Sequence, residues 1–266
     1  MAKFLFILIM FVPVQEKTAY PLKNGRPTSK GIDRYVDENA ETLLLELQDF
    51  IGDTLYNANI YTEDFSKDND QDPLELGNYY PNEVFINNAE VFIAYELEAL
   101  SRNRRDTIAS TNLFVKAAVF HELMHHYIYQ LGIEMLRTDS IQVDRAYQSF
   151  FRIYSYREDP GPRFIEEGIC EYVTLKMNAT ITRRRPYIPK KPSDLTLPEN
   201  GYKVFYKYSA YCLTDFLDTK GLKRGVKILL HNRPPTIEEI LKPELFFARL
   251  KDIELSAGPQ NKYQDQ

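Results

Sequence analysis

The 266-residue chain holds only four histidines, at positions 121, 125, 126 and 231. Three of them fall in the string Phe120-His121-Glu122-Leu123-Met124-His125-His126. Within it, His121, Glu122 and His125 form a His-Glu-x-x-His pattern. In a helix, residues four apart lie on one face, so both imidazoles can point at one ion. Zinc accepts neutral imidazole nitrogen and takes about four ligands at roughly 2 Å. Glu122 is turned from the first histidine by about 100° around the helix. Its carboxylate therefore reaches a water beside the metal instead of the metal itself, the position of a general base. With so few histidines in the chain, a chance occurrence of this pattern is rare.

Two histidines leave a metal short of ligands. A metzincin would place Gly three and His six residues after the second histidine, but Ile128 and Leu131 stand there. His126 points off the shared face, and His231 sits in a His-Asn-Arg-Pro-Pro string as an outlying option. Carboxylates are the stronger source. Phe164-Ile165-Glu166-Glu167-Gly168-Ile169-Cys170-Glu171-Tyr172 places Glu167 and Glu171 on one helical face among apolar residues. Buried acids there would call for a cation. Alternatively, the three glutamates are exposed acids of an early helical turn, favoured by the helix dipole.

The elements that must position these groups follow from periodicity and breakers. A helix is expected over 38–56, where Leu43, Leu44, Leu47, Phe50, Ile51 and Leu55 recur at helical spacing. The acidic stretch 63–77 reads as loop. Val-, Ile- and Phe-rich runs at 83–87 and 90–95 read as strands, with Asn87-Asn88 as the turn between them. A long helix over 107–131 carries the histidines and ends before Gly132. Helices are expected over 139–156 and, after the break Asp159-Pro160-Gly161-Pro162, over 164–177. Residues 185–201 read as Pro-rich loop. Further helices are expected over 202–217, 223–230 and 236–250, the last interrupted at Pro243. The fold class is α+β, a small sheet with one key helix and a mainly helical second half. The divisions are 1–19, an extended leader at 20–35, an N-terminal lobe at 36–135 and a helical C-terminal lobe at 136–266 with the third metal ligand.

On these motifs the chain resembles the gluzincin metallopeptidases. In that clan His-Glu-x-x-His is completed by a Glu from a later helix, in many members within Glu-Gly-x-x-Glu-Tyr. Here Glu167-Gly168-Ile169-Cys170-Glu171-Tyr172 matches that string. The resemblance implies a zincin-like fold, with Glu167 as third ligand and Glu171 as an acid that orients a ligand histidine. Gly77-Asn78-Tyr79-Tyr80-Pro81, followed by 83–87, is similar to the clan's strand pair before the active helix. The edge strand there binds extended peptide through main-chain hydrogen bonds. Tyr206-Lys207-Tyr208-Ser209-Ala210 is similar to a C-terminal helix whose Tyr stabilises the oxyanion. Tyr206 is the first choice for that role, then Tyr208, with His231 as a third option. Packing is the alternative role for either tyrosine.

Composition is that of a globular protein and not a disordered one. Apolar residues are 44%, charged residues 27% and the formal net charge is −5, which disfavours a nucleic-acid partner. The arginine runs at 102–105 and 183–185 are short and read as solvated segments. Lys3 followed by the apolar run 4–14 reads as an export signal or N-terminal anchor, too short for a typical membrane span of about 20 residues. Ala19 is the nearest small residue to a cleavage point. No other stretch reads as membrane-inserted, so a secreted or extracytoplasmic protein is expected. Cys170 and Cys212 would then either pair as a disulfide or stay as two buried thiols. Asn178-Ala179-Thr180 is a glycosylation sequon in a eukaryotic secretory setting.

The combined expectation is one Zn2+ per chain on His121, His125 and Glu167, with Glu122 as general base for attack of a zinc-polarised water on a peptide or protein substrate. The competing readings are an exported non-catalytic protein that binds zinc or peptide on the same fold, and a hydrolase of non-peptide amides. The stretch up to about residue 35, extended and rich in Pro and Gly, suggests a small prosegment.

Overall fold

The computed structural model describes residues 28–67, 75–89, 107–138, 142–148, 160–177, 186–195 and 201–253. The segment 1–19 expected as a signal or anchor, the leader expected before residue 28, the strand expected at 90–95, both arginine runs and the sequon lie outside them, as does most of the helix expected at 139–156.

The first helix, α1 (Ser29–Ile51), starts nine residues earlier than its apolar spacing suggested. The Thr28 side chain caps it by accepting from the Gly31 amide, so residues 29–35 are helical and not extended leader. Its buried stripe, Ile32, Tyr35, Val36, Asn39, Leu43, Leu47 and Ile51, recurs every three or four residues. The helix stops at Gly52, whose φ of 66° is the left-handed conformation that glycine adopts without a Cβ clash.

A small sheet follows, with order β1-β3-β2. Strand β1 (Asn59–Glu63), in a segment without alternating apolar residues, was not expected from sequence; it runs parallel to β3 (Glu83–Asn87). Strand β2 (Gly77–Tyr80) pairs antiparallel with β3, Tyr80 opposite Glu83. The connection is Pro81-Asn82, with Asn82 at φ 73°, a turn pair suited to a tight corner. Asp33 of α1 fixes the sheet's far end, accepting from the Thr62 hydroxyl at 2.7 Å and the Asn88 amide at 2.5 Å.

Helix α2 (Thr107–Arg137) runs through the centre. Val115, Ala118, Val119, Phe120, Leu123, Met124, Tyr127, Ile128, Leu131 and Met135 are all buried. Such burial around much of the circumference belongs to a helix covered on several sides. Here α1, β2, β3, α3 (Pro160–Met177) and α5 (Leu222–His231) pack against it. The helix passes through Gly132, because Met135 continues beyond it the core stripe of Ile128 and Leu131. Lys227 of α5 is buried and pairs with Glu134 of α2 at 2.9 Å.

Pro160-Gly161-Pro162 opens α3 instead of preceding it, consistent with proline's fit to a first helical turn. Helix α4 (Gly201–Lys220) packs along α3. Pro243 separates α6 (Ile237–Leu241) from α7 (Pro243–Arg249) as expected. The described residues thus form an α+β molecule with a small mixed sheet, and among them no helix is long and apolar enough to cross a membrane.

Close contact of α3 with α4 depends on Gly168. A Cβ there would lie 2.7 Å from Leu213 Cδ1 and 2.9 Å from Ser209 Cβ. Gly168→Val is expected to lower unfolding free energy by about 1–3 kcal/mol through overpacking, read as a shift in urea midpoint with unchanged slope.

Candidate metal centre

Helix α2 carries the paired histidines into the interior, and α3 brings acids to meet them. His121 Nε2 lies 3.1 Å from Glu167 Oε2, and His125 Nε2 lies 3.7 Å from the same oxygen. His125 Nδ1 is 2.9 Å from Glu166 Oε1. One carboxylate oxygen thus faces both imidazoles while a second carboxylate holds the outer nitrogen of His125. The imidazole rings stand 5.1 Å apart, nearly edge to face.

Glu167 is buried. Burial alone would raise its carboxyl, but the His121 hydrogen bond and the charges of His125, His121 and Arg163 hold it down at about 2. Burial pulls the two imidazoles down, and it is outweighed at His121 by Glu167 and Glu122, and at His125 by Cys170 and Glu166. Both histidines therefore bind protons more readily than usual, as expected for nitrogen bases among buried acids. A cluster that draws positive charge in this way suits a cation.

Glu122 is buried, and its side chain packs against the sheet. A Cβ at Gly77 of β2 would lie 2.8 Å from Glu122 Cγ and 2.8 Å from the Phe85 carbonyl oxygen. Glycine at 77 therefore lets the strand backbone sit directly on the carboxylate. Burial raises the Glu122 carboxyl above the usual range, with His125 and His121 pulling it back.

His126 is a structural residue. Its Nε2 lies 2.7 Å from the Tyr56 carbonyl and its Nδ1 lies 3.1 Å from the Tyr79 hydroxyl. Those partners fit a neutral ring that donates through Nε2 and accepts at Nδ1. Burial keeps its pKa below the ordinary histidine value. The Tyr79 ring also lies parallel to His125 at 6.3 Å.

The Tyr206 ring stacks on His121 at 6.0 Å, and Arg163 Nη2 donates to the Tyr206 oxygen at 2.8 Å. Tyr208 is instead buried, donating to the Ile240 carbonyl at 2.7 Å. His231 closes α5, with Nδ1 2.6 Å from the Gln142 carbonyl. Glu171 lies one turn beyond Glu167 on α3, and the hydrogen bond to His125 Nδ1 comes from Glu166. Cys170 and Cys212 are separate free thiols, so the disulfide alternative is not what forms here.

Sequence reasoning missed three neighbours of the site. Cys170 and Arg163 stand three after and four before Glu167, and helical spacing would have placed both near it. Gly77 carried a weaker signal, a glycine entering a strand.

No protein-family model, curated protein or solved structure matches the chain.

Tyr79→Phe keeps the ring and removes the donor to buried His126 Nδ1. A loss of about 1–3 kcal/mol in thermal or urea unfolding is expected. Tyr80→Phe, at an exposed position, should stay within about 0.5 kcal/mol of the parent.

Proposed function

We propose that this chain is a zinc-dependent metallohydrolase of gluzincin type on a zincin-like fold, acting as a peptidase outside the cytoplasm. The observation that carries the reading is the convergence of His121 Nε2 and His125 Nε2 on Glu167 Oε2, at 3.1 and 3.7 Å. Ligand atoms about 2.0–2.1 Å from a tetrahedral zinc stand about 3.4 Å from one another. The two separations straddle that value, which supports an ion shared between Glu167 and the two imidazoles.

His121, His125 and Glu167 would hold zinc, one ion per chain. Bound there, zinc would supply the Lewis acidity that lowers a water's pKa and polarises a carbonyl. Glu122 takes the proton of the attacking water on its carboxylate and passes it to the leaving nitrogen as the C–N bond breaks. The Glu166 carboxylate fixes the His125 ring through Nδ1. Arg163 donates to the Tyr206 oxygen and holds the ring beside His121, where the phenolic hydroxyl would donate to the oxyanion. Strand β2, at an edge of the sheet among the described residues and resting on Glu122, offers main-chain groups to an extended peptide. An export signal at the N-terminus underlies the assignment to the extracytoplasmic space. Sequencing the N-terminus of protein recovered outside the cell checks that assignment, and recovery only from the cytoplasm would overturn it.

Elemental analysis should find close to one zinc per chain in the parent and almost none in His121→Ala or Glu167→Ala. Glu122→Gln is expected to keep its zinc and lose about 10²–10⁴-fold in turnover of a peptide library; unchanged turnover would remove the general-base role. Tyr206→Phe should lower kcat by about 10²–10³-fold with zinc content intact. A parent that binds zinc yet cleaves no peptide would favour the non-catalytic binding protein.

A further inference from the structure

The metal reading uses three ligand residues and leaves one donor beside them unassigned. Cys170 lies on α3 three residues after Glu167, with no solvent exposure. One ligand atom each from His121, His125 and Cys170 lie within 4.8 Å of one another. Thiolate and imidazole donors on a tetrahedral zinc stand about 3.6 Å apart, so a small contraction of this cluster brings all three to ligand positions. The other cysteine has a different setting: Cys212, on α4, is half-buried and outside that cluster.

We propose that Cys170 is a ligand to the same metal as His121 and His125, and that its thiolate closes the resting site. As the sulfur–metal bond forms, the S–H proton leaves to solvent, and no oxidation state changes. With His121, His125, Glu167 and Cys170 all engaged, a four-coordinate zinc has no position for water, which is the difference between a closed and a catalytic zinc site. A molecule in that state is latent, and the turnover of the parent comes from the fraction in which water has displaced the thiolate. This inference rests on the metallohydrolase reading and makes the helix that supplies Glu167 the carrier of its own inhibitor.

Cobalt(II) added to the full-length protein tests both and separates them. Visible d–d bands of tetrahedral cobalt report a metal site of the kind proposed. A near-ultraviolet sulfur-to-cobalt charge-transfer band reports thiolate ligation. Both are expected in the parent and in Cys212→Ser, where any such band must come from Cys170. Cys170→Ser should keep the visible bands, lose the near-ultraviolet band and bind cobalt about 10–100-fold more weakly, at least the loss typical of a group supporting a ligand. Visible bands without the near-ultraviolet band in the parent would overturn Cys170 as a ligand and leave the hydrolase reading standing. A band that survives in Cys170→Ser and disappears in Cys212→Ser would do the same. Absence of visible bands from the parent would overturn both.

Discussion

The structure turns on the meeting of two buried helices that bring opposite chemical needs. Helix α2 carries imidazoles into the core, and α3 carries carboxylates to the same place. Either set alone would be costly to bury. Together, Glu167 and Glu166 face His121 and His125 at hydrogen-bonding distances, and each side compensates the other. The approach is set by a small residue, since Gly168 lets α4 lie close along the back of α3. The polar cluster is therefore held by apolar packing on its outer side.

The sheet serves the same centre from the opposite direction. Gly77 rests on Glu122, while Tyr79, two residues along the same strand, reaches His126. Alternation along a strand would send residues 77 and 79 to one face, and both meet α2. Two sequence neighbours of His121 and His125, Glu122 and His126, are thus both fixed by β2. Its position determines the setting of the Glu122 carboxylate as well as the support of the helix.

Much of this arrangement could be read from residue types. The histidine pair declared itself because spacing by four has one geometric meaning in a helix, whereas Glu167 was pointed to only by the resemblance that the Glu-Gly-x-x-Glu-Tyr string carries. The starts of helices were harder to place. Residues 29–35 hold a glycine and follow a Pro/Gly-rich stretch, yet the Thr28 cap starts α1 there. Strand β1 was hidden because its residues alternate between exposed and half-buried and never reach full burial. The separation of Tyr206 from Tyr208 was also invisible locally. Two positions on a helix turn by about 200°, but which side faces the histidines depends on how α4 lies against α3.

The grip on His126 has a consequence for how such a chain varies. One partner is a side chain, the Tyr79 hydroxyl; the other is the main-chain carbonyl of residue 56. Substitution at 79 must supply a hydrogen-bond donor of similar reach, so that site is chemically committed. Position 56 contributes only its peptide group, and its own side chain is exposed. Among diverging copies of this chain, residues 79 and 126 should therefore drift together, while residue 56 changes freely and leaves no trace of its part in the contact.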